Sequence, residues 1–235
     1  MAVINAVAKS KLKIRSDDGS VGRVYEELKR MAISFEFRPG DRINEVAIAR
    51  LCGVSRTPLR EALNRLTADG FLTFSPNKGF FRKPLEVKEI FDLYELRLQV
   101  EEGAARLAVA RGTDESLDDI EQFLNAGAGD LPERTIDDLV ALDEGFHERV
   151  TRLTGNTEML RTLQNINGRI QYVRWIDMQG RRDFTQAEHR AILQALRERD
   201  ANKCVALMHE HIEHRMDQII EAVKKCYARI YVAGA

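Results

Sequence analysis

The chain has 235 residues and a mass of 26.8 kDa, with 44% hydrophobic and 31% charged residues. This composition supports one large domain or two ordinary ones, and it excludes an intrinsically disordered chain. No apolar segment approaches the roughly 20 residues that a membrane-spanning helix needs. The apolar start of the chain precedes its basic residues, the reverse of a secretory signal. Three widely spaced cysteines exclude a disulfide framework, so we expect a cytoplasmic protein with no membrane partner.

The charge is divided unevenly along the chain. Residues 1–84 contain 16 lysines and arginines against 9 aspartates and glutamates, whereas residues 85–235 contain 20 against 28. A basic part beside an acidic part indicates two domains with different partners, and the basic one is the candidate for binding a polyanion. The alternative is that the basic run from Lys9 to Arg15 inflates the count without binding anything. Composition alone leaves these two interpretations open.

The first third of the chain has the element order of a winged helix-turn-helix. Residues 1–19 lack periodicity and are expected to form a flexible arm. Apolar spacing predicts three helices, a break at Gly53 and two short strands around a turn. The predicted elements are helices over 21–33, 44–51 and 55–69, and strands over 71–74 and 80–82. We therefore predict a winged helix-turn-helix DNA-binding domain over residues 20–84, with a turn at 38–41.

The rest of the chain carries helical patterns and no strand signal. Glycine and proline breaks separate helices predicted over 86–111, 114–125, 133–154, 157–178, 185–199 and 201–228. These patterns predict an all-α antiparallel helical bundle over residues 85–230. The fold class is therefore mostly α, with the β-hairpin of the wing as the exception.

The third helix has the pattern of a DNA-recognition helix. Its apolar residues gather on one side, and Arg56, Arg60 and Asn64 follow one another at i, i+4 and i+8 with Thr57 nearby. Arginines at the start of a helix reach guanine edges and phosphates, and Ser55 caps the helix terminus that binds phosphate. The alternative is a solvated basic face on an ordinary helical hairpin. The turn before this helix and the wing after it favour DNA binding.

Several polar residues lie on apolar stripes of the predicted bundle. Asp143 lies within the apolar arc of its helix, His147 follows one turn later, and His189 lies inside the stripe of another helix. In the last helix His209 and His211 flank the stripe, and periodicity does not choose between them. A carboxylate and imidazoles from three helices are suitable ligands for a divalent metal. The alternative is that each histidine is a hydrogen-bonded core residue.

Arg97 is a candidate for binding an anionic ligand, because it lies on the inward arc of helix 86–111. The alternative is a structural ion pair with Glu101 one turn later. Arg169, Tyr172 and Arg174 are weaker candidates for the same pocket.

The recognition-helix region resembles the DNA-binding domain of GntR-family bacterial transcription regulators. The resemblance rests on Pro39-Gly40, Glu45, Ala49, Gly79 and the run Gly53-Val54-Ser55-Arg56-Thr57-Pro58-Leu59-Arg60-Glu61-Ala62-Leu63. It implies that Arg56, Thr57 and Arg60 contact operator DNA and that the wing tip at Lys78 and Gly79 enters the minor groove. Some members have a DNA-contacting arginine where this chain has Val46, so no operator sequence is carried over.

The bundle resembles the C-terminal domain of the FadR subfamily of GntR regulators. The matching residues are Asp143-x-x-Phe146-His147, Gly155-Asn156, Glu188-His189-x-x-Ile192 and Met208-x-x-His211-Ile212. The resemblance implies a divalent metal, zinc or nickel, held by Asp143, His147, His189 and His211, and it selects His211 over His209. It also implies a homodimer, and it makes Arg97 the binder of a carboxylate effector.

The resulting hypothesis is a ligand-responsive bacterial transcription regulator, expected to act as a repressor on double-stranded operator DNA, with a small organic acid as effector. A second hypothesis makes the metal itself the signal. A third, a metalloenzyme, is disfavoured because no general base, nucleophile constellation or phosphate-binding loop accompanies the predicted metal site. We therefore expect no enzymatic activity.

Overall fold

The computed structural model describes residues 20–34, 36–127, 134–178 and 185–216, together with residues 221 and 224. The chain divides into two compact units, Met1–Leu85 and Glu86–Ala235. The predicted arm over residues 1–19 lies outside the described residues. Among the helices of the described residues, none has the length and apolar character required to cross a membrane.

The N-terminal unit is a winged helix-turn-helix, as the sequence predicts. Three helices and a two-stranded antiparallel sheet follow one another as α1 Ser20–Ile33, α2 Glu45–Cys52, α3 Arg56–Ala68, β1 Leu72–Ser75 and β2 Gly79–Arg82. Helix α3 packs on α1, on α2 and on β1. The buried core includes Leu28, Leu59, Leu63, Leu66 and Phe71, each with 0% exposure. The apolar side of α3 is therefore used inside the unit, which leaves its polar side outside.

Local sequence sets the turn between α2 and α3. Asn44 caps α2, since its side-chain oxygen accepts a hydrogen bond from the backbone N–H of Ala47 at 3.1 Å. Gly53 ends α2 with a φ of 65°, a left-handed conformation that glycine adopts without steric cost. Ser55 occupies the N-cap position of α3 as predicted, but its side chain makes no capping hydrogen bond.

The wing contains a backbone pairing that the sequence pattern did not indicate. The hairpin register joins Leu72 with Arg82. On its other side β2 bonds to the segment 40–43, where the sequence predicted a turn over 38–41. The backbone N–H of Ile43 donates to Phe80 O at 2.8 Å, and the N–H of Arg82 donates to Asp41 O at 2.9 Å. This pairing lies between residues about 40 positions apart, so no local signal marks it.

All the regular elements among the described residues of the C-terminal unit are helices, as predicted. Its helices are α4 Val87–Arg111, α5 Asp114–Ala126, α6 Ile136–Arg152, α7 Thr157–Met178, α8 Thr185–Arg197 and α9 Ala201–Met216. Helix α6 begins later than the predicted residue 133 because Thr135 and Asp138 form a capping box. Most of the predicted continuation of α9 to residue 228 lies outside the described residues. Helix α4 packs against α6, α7, α8 and α9, whereas α5 packs against α6 and α8.

Leu63 provides a test of the N-terminal core. Replacing it with alanine should lower the free energy of unfolding by about 2–5 kcal/mol, because the residue is fully buried and a cavity would remain. Leu51 is 50% exposed in the same unit, so Leu51→Ala should change stability by less than about 0.5 kcal/mol. Urea unfolding followed by circular dichroism measures both. Equal effects of the two substitutions would contradict this account of the core.

Candidate metal centre and nucleic-acid interface

The four candidate metal ligands meet in the interior of the C-terminal unit. Helix α6 supplies Asp143 and His147, α8 supplies His189 and α9 supplies His211. All four are buried, and one ligand atom from each lies within 4.8 Å of the others. We call these four residues the Asp/His cluster. His209, the other histidine that periodicity allowed, is 43% exposed at its side chain and bonds to Glu102 instead.

The distances inside the cluster fit a single metal ion. His147 Nε2 lies 3.1 Å from His211 Nε2, and His189 Nε2 lies 3.3 Å from Asp143 Oδ1. Asp143 Oδ1 also lies 3.7 Å from His147 Nε2 and 3.9 Å from His211 Nε2. Ligand atoms bonded at about 2.0–2.2 Å to one ion lie about 3–3.5 Å apart. Small side-chain shifts would therefore bring these atoms to bonding distance of one ion.

Three of the four cluster residues have a charged partner on the side-chain atom that does not face the centre of the cluster. Glu101 bonds to His147 Nδ1, and Glu188 Oε2 lies 2.6 Å from His211 Nδ1. A carboxylate at Nδ1 favours the tautomer that carries its proton there, which leaves Nε2 to bind a metal. Arg174 donates a hydrogen bond to Asp143 Oδ2, so the other carboxylate oxygen faces the histidines. These contacts orient the ligand atoms toward one point.

His189 differs from the other three cluster residues. Its ring stacks on Phe146, with 3.9 Å between centroids and 17° between planes. Neither of its buried ring nitrogens has a hydrogen-bond partner among the residues that the structure describes. Burial lowers the pKa of His189 to about 3, so the imidazole is neutral at physiological pH. A buried neutral imidazole without a hydrogen bond is costly unless something binds it, so the chemistry of His189 fits that of a metal ligand.

The charges around the cluster are strongly coupled. Burial opposes ionisation of Glu101, but His147 and Arg97 outweigh it and lower the pKa of this carboxyl to about 2. Burial opposes protonation of His147 as well, and the charge of Glu101 outweighs it, so the pKa of His147 is raised. Burial is also outweighed at Asp143, whose pKa is held well below its usual range by His147, His189 and Arg174. A hydrogen bond between His147 Nε2 and His211 Nε2 requires a proton on one of these two nitrogens, and a metal would have to displace that proton.

Arg97 is buried at 2% exposure and forms the ion pair that sequence reasoning considered as its alternative role. Its Nε donates to Glu101 Oε1 at 2.6 Å. It also lines a small cavity that reaches the cluster, which is the position expected of an effector contact. The cavity is lined by Tyr94, Arg97, Asp143, Arg174, His211 and Ile212. Both roles are therefore compatible with the position of Arg97.

Among the weaker pocket candidates, only Arg174 lines this cavity. It is 3% exposed and donates to Glu144 Oε1 at 2.6 Å as well as to Asp143. Arg169 instead pairs with Glu89, and the Tyr172 ring stacks with Trp175. Sequence reasoning missed the role of Glu144, because no pattern within α6 points to a partner 30 residues away.

The predicted DNA-binding residues lie along α3 and at the wing tip. Five of them are exposed: Ser55, Arg56, Thr57, Asn64 and Lys78. Arg60 is half-buried because it contacts both α2 and the wing, and Gly79 is half-buried as well. Asn77 and Gly79 have φ values of 62° and 94°, so the wing tip contains two left-handed residues. Arginines on α3 and a hairpin beside them are groups suited to major- and minor-groove contacts.

A winged helix-turn-helix joined to an all-helical unit with a buried polar cluster is the architecture of a ligand-controlled DNA-binding protein. Comparison with known families identifies it further. Residues 21–81 match the family of bacterial regulatory proteins named gntR, and residues 92–214 match the FCD domain. The chain belongs to the GntR family and carries an FCD domain. It is a transcription regulator with a DNA-binding and an effector-binding domain, and it is not an enzyme.

Individual relatives agree with this assignment. The chain is 45% identical to the Nta operon transcriptional regulator of Aminobacter aminovorans, over 87% of this chain and 97% of the relative. It is 30% identical to the uncharacterized HTH-type transcriptional regulator YdhC of Bacillus subtilis, over 83% and 91% of the two chains. The solved structure of E. coli McbR/YncC has a TM-score of 0.69 at 18% identity, covering 87% of this chain and 98% of that one. This last likeness concerns the fold alone.

The Arg97–Glu101 pair generates a stability prediction. Arg97→Met leaves a buried carboxylate with less compensation and should lower the free energy of unfolding by about 3–5 kcal/mol. Adding Glu101→Gln should recover part of this loss, because the amide removes the charge and still accepts from His147. Urea unfolding of the chelator-treated protein measures the singles and the double. Additive losses would show that the two side chains are not energetically coupled.

Proposed function

We propose that this regulator is a homodimeric repressor that reads its operator through α3 and the wing. The row of Arg56, Arg60 and Asn64 on α3, whose side chains are exposed or partly exposed, carries this proposal together with Thr57. One recognition helix reads only a few base pairs, so two copies on a near-palindromic site are expected. A protein that binds the bacterial chromosome works in the cytoplasm, which is the location we propose.

Arg56→Ala tests the DNA-reading role. If Arg56 binds a guanine with two hydrogen bonds, the substitution should weaken binding to the cognate operator by about 1–3 kcal/mol. Arg30→Ala removes the same charge from the same unit, but Arg30 is engaged with Glu27 and Glu36, so it should have little effect. Gel-shift titrations at two salt concentrations measure both. Wild-type operator affinity in Arg56→Ala would contradict the assignment.

We propose further that the Asp/His cluster binds one divalent ion, zinc or nickel. The carrying observation is the convergence of three imidazole Nε2 atoms and one carboxylate oxygen in a buried site, with both nitrogens of His189 lacking a hydrogen bond among the described residues. Three nitrogens and one oxygen suit either ion. The bound ion would cross-link α6, α8 and α9 and would present open positions to a ligand carboxylate.

Metal removal tests this proposal. Because the ion would bind only the folded protein, a thousandfold excess of Zn²⁺ over its dissociation constant should stabilise the protein by about 4 kcal/mol. Chelation should therefore lower the melting temperature, and His189→Ala should remove most of this response. His209→Ala is the matched control, because His209 lies outside the cluster and pairs with Glu102. An equal chelator response in His189→Ala and the wild type would rule out this ligand set.

We also propose that the effector is a small organic acid, bound between the metal and Arg97. The cavity reaches both Arg97 and two cluster residues, Asp143 and His211. The double variant Arg97→Met/Glu101→Gln, which leaves no uncompensated carboxylate in place of the pair, should abolish release from the operator by the effector and leave effector-free DNA affinity nearly unchanged. A screen of small carboxylates in a DNA-release assay identifies the probe on the wild type. A wild-type response in the variant would leave Arg97 as a structural partner of Glu101.

A second candidate function is a metal sensor that uses the same cluster. The observation that favours it is the dense, buried ligand set of one carboxylate and three imidazoles. A sensor would change its operator affinity when Zn²⁺ or Ni²⁺ alone is added to the chelated protein. A structural metal would leave operator affinity unchanged until a carboxylate is present.

A further inference from the structure

A carboxylate lies between the two elements that are proposed to touch DNA. Glu45 is the first residue of α2, and its Oε2 lies 3.2 Å from an Nη atom of Arg60. The guanidinium of Arg60 also lies over the Phe80 ring of β2, 5.4 Å from the ring centroid. Helix α2 and the wing therefore hold this arginine of the recognition helix from two sides.

The same carboxylate is packed closely against the wing tip. A Cβ atom added to Gly79 would lie 3.5 Å from Glu45 Oε1 and 3.8 Å from Nε of Arg42. The side chain of Glu45 is only 17% exposed, whereas that of Arg60 is 43% exposed. Glu45 thus has a fixed position among two arginines and the wing, with the Arg60 guanidinium still accessible from outside.

Electrostatics alone would not favour an acidic residue at this place. A negative charge near bound phosphates weakens DNA binding of every sequence. A free arginine side chain has many accessible rotamers, and part of this conformational entropy is lost when the guanidinium is fixed on a base. An ion pair that fixes the guanidinium beforehand reduces this loss only for the sequence that Arg60 reads.

We propose that Glu45 is a positioning residue that presets the Arg60 guanidinium for base recognition. The inference rests on the proposed DNA-reading role of Arg60. The proposed role affects sequence-specific and non-specific DNA affinity in opposite directions. Glu45 raises the preference for the cognate sequence while it lowers the general attraction to DNA.

The test uses the full chain and two duplexes of equal length. One duplex is selected from a random pool by the wild-type protein, and the other is its scrambled sequence. Glu45→Gln should lower the ratio of selected to scrambled affinity by about tenfold, because the base contact loses its preset geometry. Affinity for the scrambled duplex should stay equal or rise, because one negative charge is gone. A variant that was merely less folded would lose both affinities together.

The outcomes separate this inference from the proposed function. If the ratio of selected to scrambled affinity falls in Arg60→Ala but stays unchanged in Glu45→Gln, the positioning role is overturned and the DNA-reading role of Arg60 is retained. A ratio unchanged in Arg60→Ala would overturn both the role of Arg60 and the inference. The double variant should have the ratio of Arg60→Ala, since Glu45 acts through that arginine. A further drop in the double variant would also overturn the inference.

A different observation concerns Arg42, which lies opposite Phe81 in the bridge between segment 40–43 and β2. Arg42 is exposed, and its guanidinium lies next to Gly79 at the wing tip. The position after Glu45, by contrast, is occupied by Val46, which is 70% exposed and carries no charge. We infer that Arg42 is a further DNA-binding cation of this chain, placed beside the wing by the pairing with β2.

Salt dependence tests Arg42 directly. Losing one phosphate contact should lower the slope of log affinity against log salt by about 1 for both duplexes. Arg42→Ala should therefore lower the slope and leave the ratio of the two affinities unchanged. Arg30→Ala, which removes the same charge from a residue paired with Glu27 and Glu36, should keep the wild-type slope. A wild-type slope in Arg42→Ala would overturn the inference.

Discussion

Three imidazoles and a carboxylate are buried together in the helical unit, and each loses contact with bulk water there. A buried polar group that lacks a partner costs free energy, so the surroundings of the Asp/His cluster have to replace the lost water. Glu101, Glu188 and Arg174 do this for three of the four residues. His189 stacks on Phe146 and lies 3.3 Å from Asp143 Oδ1, without a hydrogen bond of good geometry among the described residues. The helices that supply these residues must therefore pack so that each buried polar group has a hydrogen-bonding or charged partner.

The partners of the cluster carry charges that need compensation in turn. Arg97 neutralises Glu101, and Arg174 is shared by Asp143 and Glu144. The result is a chain of alternating charges that runs from the cluster to the cavity wall. Removing one member exposes the next as an uncompensated buried charge, which is far more costly than replacing a matched pair. An anion that enters the cavity meets this chain through the two arginines.

In the DNA-binding unit most charged side chains are accessible to solvent, in contrast to the buried charges around the cluster. Arg42, Arg56 and Arg60 lie in or near water, where single ion pairs contribute little to stability. Their positions matter more than their pairing energy, because base recognition depends on geometry. Buried apolar residues of α3 fix the helix, and contacts from α2 and β2 reach Arg60 from two sides. The same unit thus combines a rigid core with a surface whose charges remain available to a polyanion.

The sequence by itself determined the fold class, the element order and the identity of the candidate residues. Helical periodicity placed Asp143 and His189 on buried stripes, and the run from Gly53 to Leu63 marked the recognition helix. Both signals are local, because side chains three or four residues apart share one helix face. The start of α6 was placed too early, since the Thr135 capping box decides it.

Only the tertiary structure decided which distant residues meet. The partners of the cluster are far apart in the chain: Glu101 and His147 are separated by 46 positions, and Arg174 and Asp143 by 31. The pairing of segment 40–43 with β2 and the contact of Glu45 with Arg60 were likewise absent from the sequence pattern. Periodicity reports which face of a helix is buried and carries no information on what that face touches. Packing of the helices sets those partners, because close-packed interiors admit few arrangements of large side chains.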